Sequence, residues 1–279
     1  MVITHHALRI THYDLKNMDN KEILKTIRWN PLMETGKGYY QNGNNLLLDR
    51  RLKEILKVAH TVKERKTYLD IGCRDGFLTD LISKETGEPL TFGIDLVDPG
   101  EAQKRGIKTI KFDLEQNCKI PFKDSSFDLI SCNEVLEHIR DTEFLLEEIR
   151  RLLNDDGYLI LTIPRLDSFL CSLLLLLGYQ PVWVECSIKN RYGGLTGDGM
   201  ITGHVSYFTK KAIEEMLHAY KFRVVSFAQV SVVSQWMLDQ YILGRKLSLL
   251  KKILCKLFEI IPFKQDTCIF LIKKEKFLK

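Results

Sequence analysis

The sequence predicts an α/β fold in which a largely parallel sheet of seven strands carries helices on both faces. Three observations lead there. Short apolar runs alternate with segments whose apolar residues recur at helical spacing. A glycine-bearing turn, Gly72-Cys73-Arg74-Asp75-Gly76, separates the first such run from the helix after it. The chain has 279 residues, 45% of them hydrophobic, enough to bury the core of one large domain.

The elements follow in order. Residues 1–45, with Pro31, Gly36, Gly38 and Gly43, read as an N-terminal arm or lid. From Leu46 to about Lys66, Leu48, Leu52, Ile55, Leu56 and Ala59 lie at helical spacing. Thr67 to Ile71 is a short apolar strand, and a helix runs from the glycine turn through Ile82. Strands follow at Leu90 to Ile94, Ile107 to Phe112, Phe127 to Ser131 and Tyr158 to Ile163. Right-handed crossovers between them imply parallel pairing. Before the fifth strand, Asp141 can cap a helix whose stripe is Leu145, Leu146, Ile149, Leu152 and Leu153, and Asn154-Asp155-Asp156-Gly157 ends it. Thr209 can cap another helix, through Ile213, Met216, Leu217 and Tyr220. Phe222 to Val230 and Cys268 to Ile272 supply the last two strands.

Composition excludes several classes. No run of 18 apolar residues is present, so a membrane-spanning helix is not expected. The N-terminus, Met1-Val2-Ile3-Thr4-His5-His6, lacks an apolar signal core. Seven cysteines are scattered with no CxxC pair, which argues against a disulfide framework and a cysteine zinc site, and no metal ligand set is assigned. A cytoplasmic protein is the expectation. Its net charge of +5 is local: from Arg245 to Lys279 ten basic residues face three acidic ones. Such a basic end suits either a solvated helix face or contact with phosphate.

In an open α/β sheet, ligands bind outside the carboxyl ends of the strands, where the strand order reverses. The turns after four strands are informative. Gly72 and Gly76 let the backbone approach a ligand, and the helix beyond offers free amides. Asp95, 23 residues past Gly72, stands where a carboxylate can accept both hydroxyls of a ribose. Asp113 can accept from an exocyclic amine, with Phe112 and Leu114 as apolar walls. Cys132-Asn133-Glu134 opens the next helix beside the same crevice.

With these motifs the chain resembles the class I S-adenosylmethionine-dependent methyltransferases, and most of all the broad small-molecule subgroup known as methyltransferase type 11. That subgroup carries D-x-G-C-G-x-G and F-D-(apolar)2-x-x-x-(E/D)-V-(I/L)-(E/D)-H. Here they read Asp70-Ile71-Gly72-Cys73-Arg74-Asp75-Gly76 and Phe127-Asp128-Leu129-Ile130-Ser131-Cys132-Asn133-Glu134-Val135-Leu136-Glu137-His138. The likeness continues through Asp155-Asp156-Gly157-Tyr158-Leu159 and Gly203-His204-Val205-Ser206-Tyr207-Phe208-Thr209. The resemblance implies a Rossmann-like sheet with an antiparallel last strand, a methyltransferase domain over residues 46–274, and S-adenosylmethionine as cofactor. It implies a cofactor site built from Asp70, Gly72, Cys73, Arg74 and Gly76 around the methionine part, Asp95 with Leu96 at the ribose, Asp113 with Leu114 at the adenine, and Asn133. Arg74 departs from the family by replacing the middle glycine, and an outward side chain there could pair with the cofactor carboxylate. A dinucleotide turn would need glycines where Arg74 and Phe77 stand, and there is no triphosphate-binding loop.

Direct displacement of an activated methyl needs chiefly a nucleophile held in line. His138 and His204 are the candidate catalytic residues, with Glu137 placed either to orient His138 or to face solvent in the helix; each histidine can instead satisfy a local backbone bond. Insertions at 165–206 and 231–266 are expected to form a helical cap, and 275–279 a basic tail. The first holds the apolar Phe169 to Leu177; the second sets Leu250, Ile253, Leu254, Leu257, Phe258 and Ile261 against Lys251, Lys252 and Lys256. The two either pack together or touch an anionic membrane and shelter a lipid-linked acceptor. The expected acceptor is thus a small or lipid-associated molecule. The alternatives are RNA, weakened because the basic residues interleave with aliphatic rather than aromatic side chains, and a non-catalytic S-adenosylmethionine-binding partner subunit. Oligomeric state is not legible.

Overall fold

A computed structural model of the chain describes residues 46–97, 100–116, 118–181, 183–187, 189–194, 201–231 and 265–275. The expected arm over 1–45, the basic amphipathic helix around Lys251 to Ile261 and all but the first residue of the basic tail lie outside the described residues. The elements are α1 (Leu46–His60), β1 (Thr67–Ile71), α2 (Phe77–Glu85), β2 (Leu90–Asp95), α3 (Gly100–Lys104), β3 (Lys108–Lys111), β4 (Phe127–Asn133), α4 (Thr142–Leu152), β5 (Leu153–Pro164), α5 (Phe169–Leu176), α6 (Lys210–Ala219), β6 (Phe222–Val230) and β7 (Thr267–Lys274).

The seven strands form one sheet in the order β3-β2-β1-β4-β5-β7-β6. β1 to β5 pair in parallel, and β7 lies antiparallel between β5 and β6. Alternate residues serve opposite faces, as the pleat requires. Leu69, Ile130, Leu159, Leu161 and Phe270 pack with Leu145, Leu146 and Ile149 of α4 and Ile213 and Leu217 of α6. Tyr68, Leu129, Ile160, Ile269 and Leu271 pack on the other side with Ile55, Val58 and Ala59 of α1 and Ile82 of α2. A sheet buried on both faces explains why its strands read as near-continuous apolar runs.

Both capping expectations hold. Asp141 accepts from the Phe144 amide at 3.0 Å, and Thr209 accepts from the Ala212 amide at 3.1 Å. Two boundaries differ most from the sequence reading. α1 stops at His60, because the Thr61 and Val62 amides bond three residues back and Glu64 turns the chain with φ 61°. β5 begins at Leu153, and Asn154 to Gly157, expected only to end the preceding helix, bulges out of that strand: Phe127 pairs with Leu153 but Leu129 with Tyr158. The bulge is tight, since a Cβ on Gly157 would sit 3.1 Å from the Phe127 carbonyl oxygen.

The strand order reverses between β1 and β4, which opens a crevice outside their carboxyl ends. Thr267 pairs with both Pro164 and Val230, so the described ends of both insertions leave the sheet at this same edge. Arg165 anchors the first insertion: its buried guanidinium donates to Asp167 at 2.8 and 3.0 Å and to Gln229 at 2.9 Å. In α5 only Cys171 and Leu174 are buried, whereas Leu175, Leu176 and Leu177 are exposed.

Phe270 is fully buried in β7 against Phe227, while Leu176 is 83% exposed. Urea unfolding should therefore show a loss of ~3–5 kcal/mol for Phe270→Ala and a change within about 0.5 kcal/mol for Leu176→Ala.

Candidate active site

The turn between β1 and α2 is shaped by three residues with positive φ: Gly72 at 80°, Arg74 at 47° and Gly76 at 75°. A Cβ on Gly72 would lie 2.4 Å from the Val135 Cγ2, and one on Gly76 would lie 2.7 Å from the Ala102 Cβ. Glycine is demanded twice over, by dihedral angle and by space. Arg74 takes the left-handed conformation with an exposed side chain, and its amide donates to the Asp95 carboxylate at 2.8 Å. Cys73 turns inward, and Gly93 leaves room for its sulfur. Burial and the nearby Asp70 push its thiol pKa far up.

Asp70 lies beneath this turn. Its carboxylate accepts from the Thr79 hydroxyl of α2 at 2.5 Å and from the Ser131 hydroxyl of β4, which is bonded in turn to the Tyr68 hydroxyl at 2.6 Å. Burial raises its pKa to about 6 against the opposing pull of those two bonds, with the Asp95 charge adding to the rise.

Asp95 and Asp113 end up on one rim. Asp95 pairs with Lys111 across the ladder, and its carbonyl accepts from the Phe112 amide at 2.8 Å. The Asp95 carboxylate takes one amide on each oxygen, Arg74 and Val97, the latter at 2.9 Å. Asp113 accepts from the Glu115 amide at 3.0 Å and from the Gln116 side chain at 3.4 Å. A carboxylate has about four acceptor sites, so both keep capacity for further donors. Leu96, Phe112 and Leu114 are half-buried beside them.

At the end of β4, Asn133 carries a side-chain amide whose two polar atoms are both buried without a partner among the described residues. Glu134, at φ 54°, hangs its amide on the Thr162 carbonyl at 3.0 Å and receives Arg51 of α1 on its carboxylate at 2.8 Å. Next come Glu137 and His138 in a single 3-10 turn. The loop before α6 is laced to that turn: the Glu137 carbonyl accepts from the Val205 and Ser206 amides at 2.9 and 3.0 Å, and the Ser206 hydroxyl donates to Ile139 at 2.7 Å. His204 thereby meets His138, ring centroids 4.8 Å apart, with Trp183 at 5.7 Å on its other side. Burial, reinforced by His138, lowers the His204 pKa to about 3; burial lowers that of His138 and raises that of Glu137.

Comparison with known proteins places the chain in a family. The family model for a methyltransferase domain matches residues 42–227. The chain belongs to that family. Among curated relatives, an uncharacterized methyltransferase of Schizosaccharomyces pombe is 31% identical over 109 residues, 35% of this chain and 39% of that protein. The ubiquinone biosynthesis O-methyltransferase of Histophilus somni is 32% identical over 141 residues, 47% of this chain and 57% of that protein. The matched region spans between 32% and 60% of the length of the first four curated relatives. The crystal structure of a SAM-dependent methyltransferase from Archaeoglobus fulgidus superposes with TM-score 0.52 at 17% identity, covering 83% of this chain and 95% of that one, which shows a shared fold.

The matched region is thus a class I S-adenosylmethionine-dependent methyltransferase domain, a family whose cofactor is S-adenosylmethionine. The residues present suit that molecule: a turn whose Gly72 leaves no room for a side chain, two rim carboxylates with spare acceptor sites, and a buried amide at Asn133 lacking a partner. Of the residues expected from the sequence, Gly72, Arg74 and Gly76 shape the turn, Asp95 with Leu96 and Asp113 with Leu114 stand at or just past the ends of β2 and β3, Asn133 ends β4 and His138 meets His204, whereas the Asp70 carboxylate and the Cys73 sulfur face inward beneath the turn. Arg51, Glu134 and Trp183 were not singled out as site residues. Arg51 sits mid-helix 83 positions from its partner, and no local pattern announces such a contact.

Two outcomes are expected. Gly72→Ala combines a strained φ with a collision against Val135 and should lower stability by ~1–3 kcal/mol in thermal unfolding. For Asp70 the native state binds its proton more tightly than the unfolded chain does, so its contribution to stability falls as pH rises. Relative to Asp70→Asn, the parent should lose about 1.4 kcal/mol between pH 5 and pH 8 in denaturant titrations, one pKa unit being worth that much.

Proposed function

We propose that this methyltransferase transfers the methyl group of S-adenosylmethionine to a small or lipid-associated acceptor by direct displacement. The observation that carries the cofactor half of the reading is the rim shared by Asp95 and Asp113 next to the Gly72 turn. Asp95 would hold the ribose hydroxyls and Asp113, walled by Leu114, the adenine amine. Gly72, Cys73, Arg74 and Gly76 would line the methionine part, with Leu96 and Asn133 completing the pocket and Asp70 keeping the turn in place. When bound, S-adenosylmethionine supplies a methyl group already activated on a sulfonium. The chain's own task is to orient an acceptor and exclude water. His138 and His204, with Trp183 and the first insertion above them, form the side from which an acceptor would approach.

The relatives include a norajmaline N-methyltransferase of Rauvolfia serpentina, in keeping with a small acceptor, and a ubiquinone biosynthesis O-methyltransferase. The lipid-associated variant draws on α5, which exposes Leu173, Leu175, Leu176 and Leu177. No described helix is long and apolar enough to cross a membrane, so an association of this kind would be peripheral. Contact with an anionic membrane predicts flotation with anionic liposomes that falls when Leu175, Leu176 and Leu177 are changed to Ser; equal recovery with and without liposomes would leave only the small-acceptor form.

The direct test is calorimetry with S-adenosylmethionine on the full chain. Asp95→Ala should weaken binding by ~2–3 kcal/mol, the usual worth of charge-assisted hydrogen bonds, roughly 30- to 150-fold in Kd. Unchanged affinity would move the ribose site elsewhere. An acceptor screen that reads S-adenosylhomocysteine release then separates an enzyme from a subunit that binds the cofactor without turnover.

A further inference from the structure

Glu137 is 1% exposed, and neither of its carboxylate oxygens has a hydrogen-bond partner among the described residues. Burying a carboxylate in that condition is costly, and folded proteins rarely leave one so without a use for it. Its surroundings are specific. The His204 Nε2 lies 3.9 Å from the Glu137 Oε1, beyond hydrogen-bond reach, and the His204 Nδ1 is buried with no hydrogen-bond partner among the described residues. One ligand-type atom from each of Glu137, His138 and His204 falls within 4.8 Å of the others.

The supporting shell is in place as well. His138 directs Nδ1 at the Gly203 carbonyl oxygen, 3.3 Å away, which favours the tautomer that donates there and leaves the Nε2 lone pair free. The backbone bonds from Val205 and Ser206 to the Glu137 carbonyl hold the two segments together. Glu134 accepts from Arg51 at 2.8 Å, so that neighbouring carboxylate already has a cationic partner.

We propose that Glu137, His138 and His204 form a divalent-cation site beside the cofactor crevice, with further coordination positions open toward the acceptor. Two imidazoles and a carboxylate suit first-row ions such as Mn2+, Fe2+ or Zn2+ better than Ca2+ or Mg2+. Bonds of about 2.1 Å put neighbouring ligand atoms roughly 3–3.5 Å apart, so the three side chains close in by about an ångström around an ion. Three protein ligands with open positions are the pattern of a reactive rather than a structural site. An ion there would polarise an acceptor hydroxyl and lower its pKa. That consequence rests on the methyl-transfer reading, while the cation site does not.

The test uses the full-length, tag-free chain stripped with EDTA. Calorimetric titration with Zn2+, and Mn2+ binding followed by loss of the free-ion electron-spin resonance signal, should give one site per chain. Glu137→Gln and His204→Gln should each weaken that site at least 10-fold while leaving S-adenosylmethionine affinity within twofold and the thermal transition intact. Absence of stoichiometric binding would overturn the proposal. So would affinities unchanged within twofold in whichever of the two variants keeps its thermal transition, since the ion would then sit elsewhere, for example on His5 and His6. If the ion binds as expected but the cofactor does not, the methyl-transfer reading fails and the cation site stands.

Discussion

The hydrogen-bonded chain from Tyr68 through Ser131 and Asp70 to Thr79 is the constraint on which the crevice depends. It joins β1, β4 and α2 where the strand order reverses. Burial leaves Asp70 little energetic advantage in ionising, and the two hydroxyls make up part of that deficit. With the start of α2 tied to two central strands, the Gly72 turn has one position, and the Arg74 amide falls within reach of Asp95.

Arg74 shows how a turn tolerates a residue that local rules disfavour. A left-handed non-glycine residue costs roughly 1–2 kcal/mol, and the bond from its amide to the Asp95 carboxylate offsets part of that cost. The side chain lies on the exposed side, away from the close approach between Gly72 and Val135. The backbone shape of the turn therefore survives a substitution at its middle position, although it would not survive one at Gly72.

A second assembly is built across the sheet edge. The first insertion and the loop before α6 are laced to the turn after β4 through the Glu137 carbonyl, the Ser206 hydroxyl and the Glu185 carboxylate, which accepts from the Thr202 hydroxyl and the Gly203 amide. These bonds bury the His204 ring beside Trp183 and set it near the Glu137 carboxylate, whose oxygens have no hydrogen-bond partner among the described residues. The crevice thus has a rim bearing the Asp95 and Asp113 carboxylates on the β2–β3 side and a nitrogen- and carboxylate-rich wall on the β4 side.

Strand positions, both helix caps and the order of glycine turn, first acid and second acid were legible in the residues, because period, capping and turn chemistry act over a few positions. The start of β5 and the end of α1 were not, since a bulge and a tightened last turn answer to neighbouring strands. Asp70 could be read as part of a motif, but its place below the turn follows from Ser131, 61 positions away. By itself the sequence determined the alternating α/β pattern and the family of its turns. Only the tertiary structure decided that Glu137, His138 and His204 converge and that Arg51 reaches Glu134, because contacts between distant segments depend on strand order and loop docking, which leave no periodic trace in the chain.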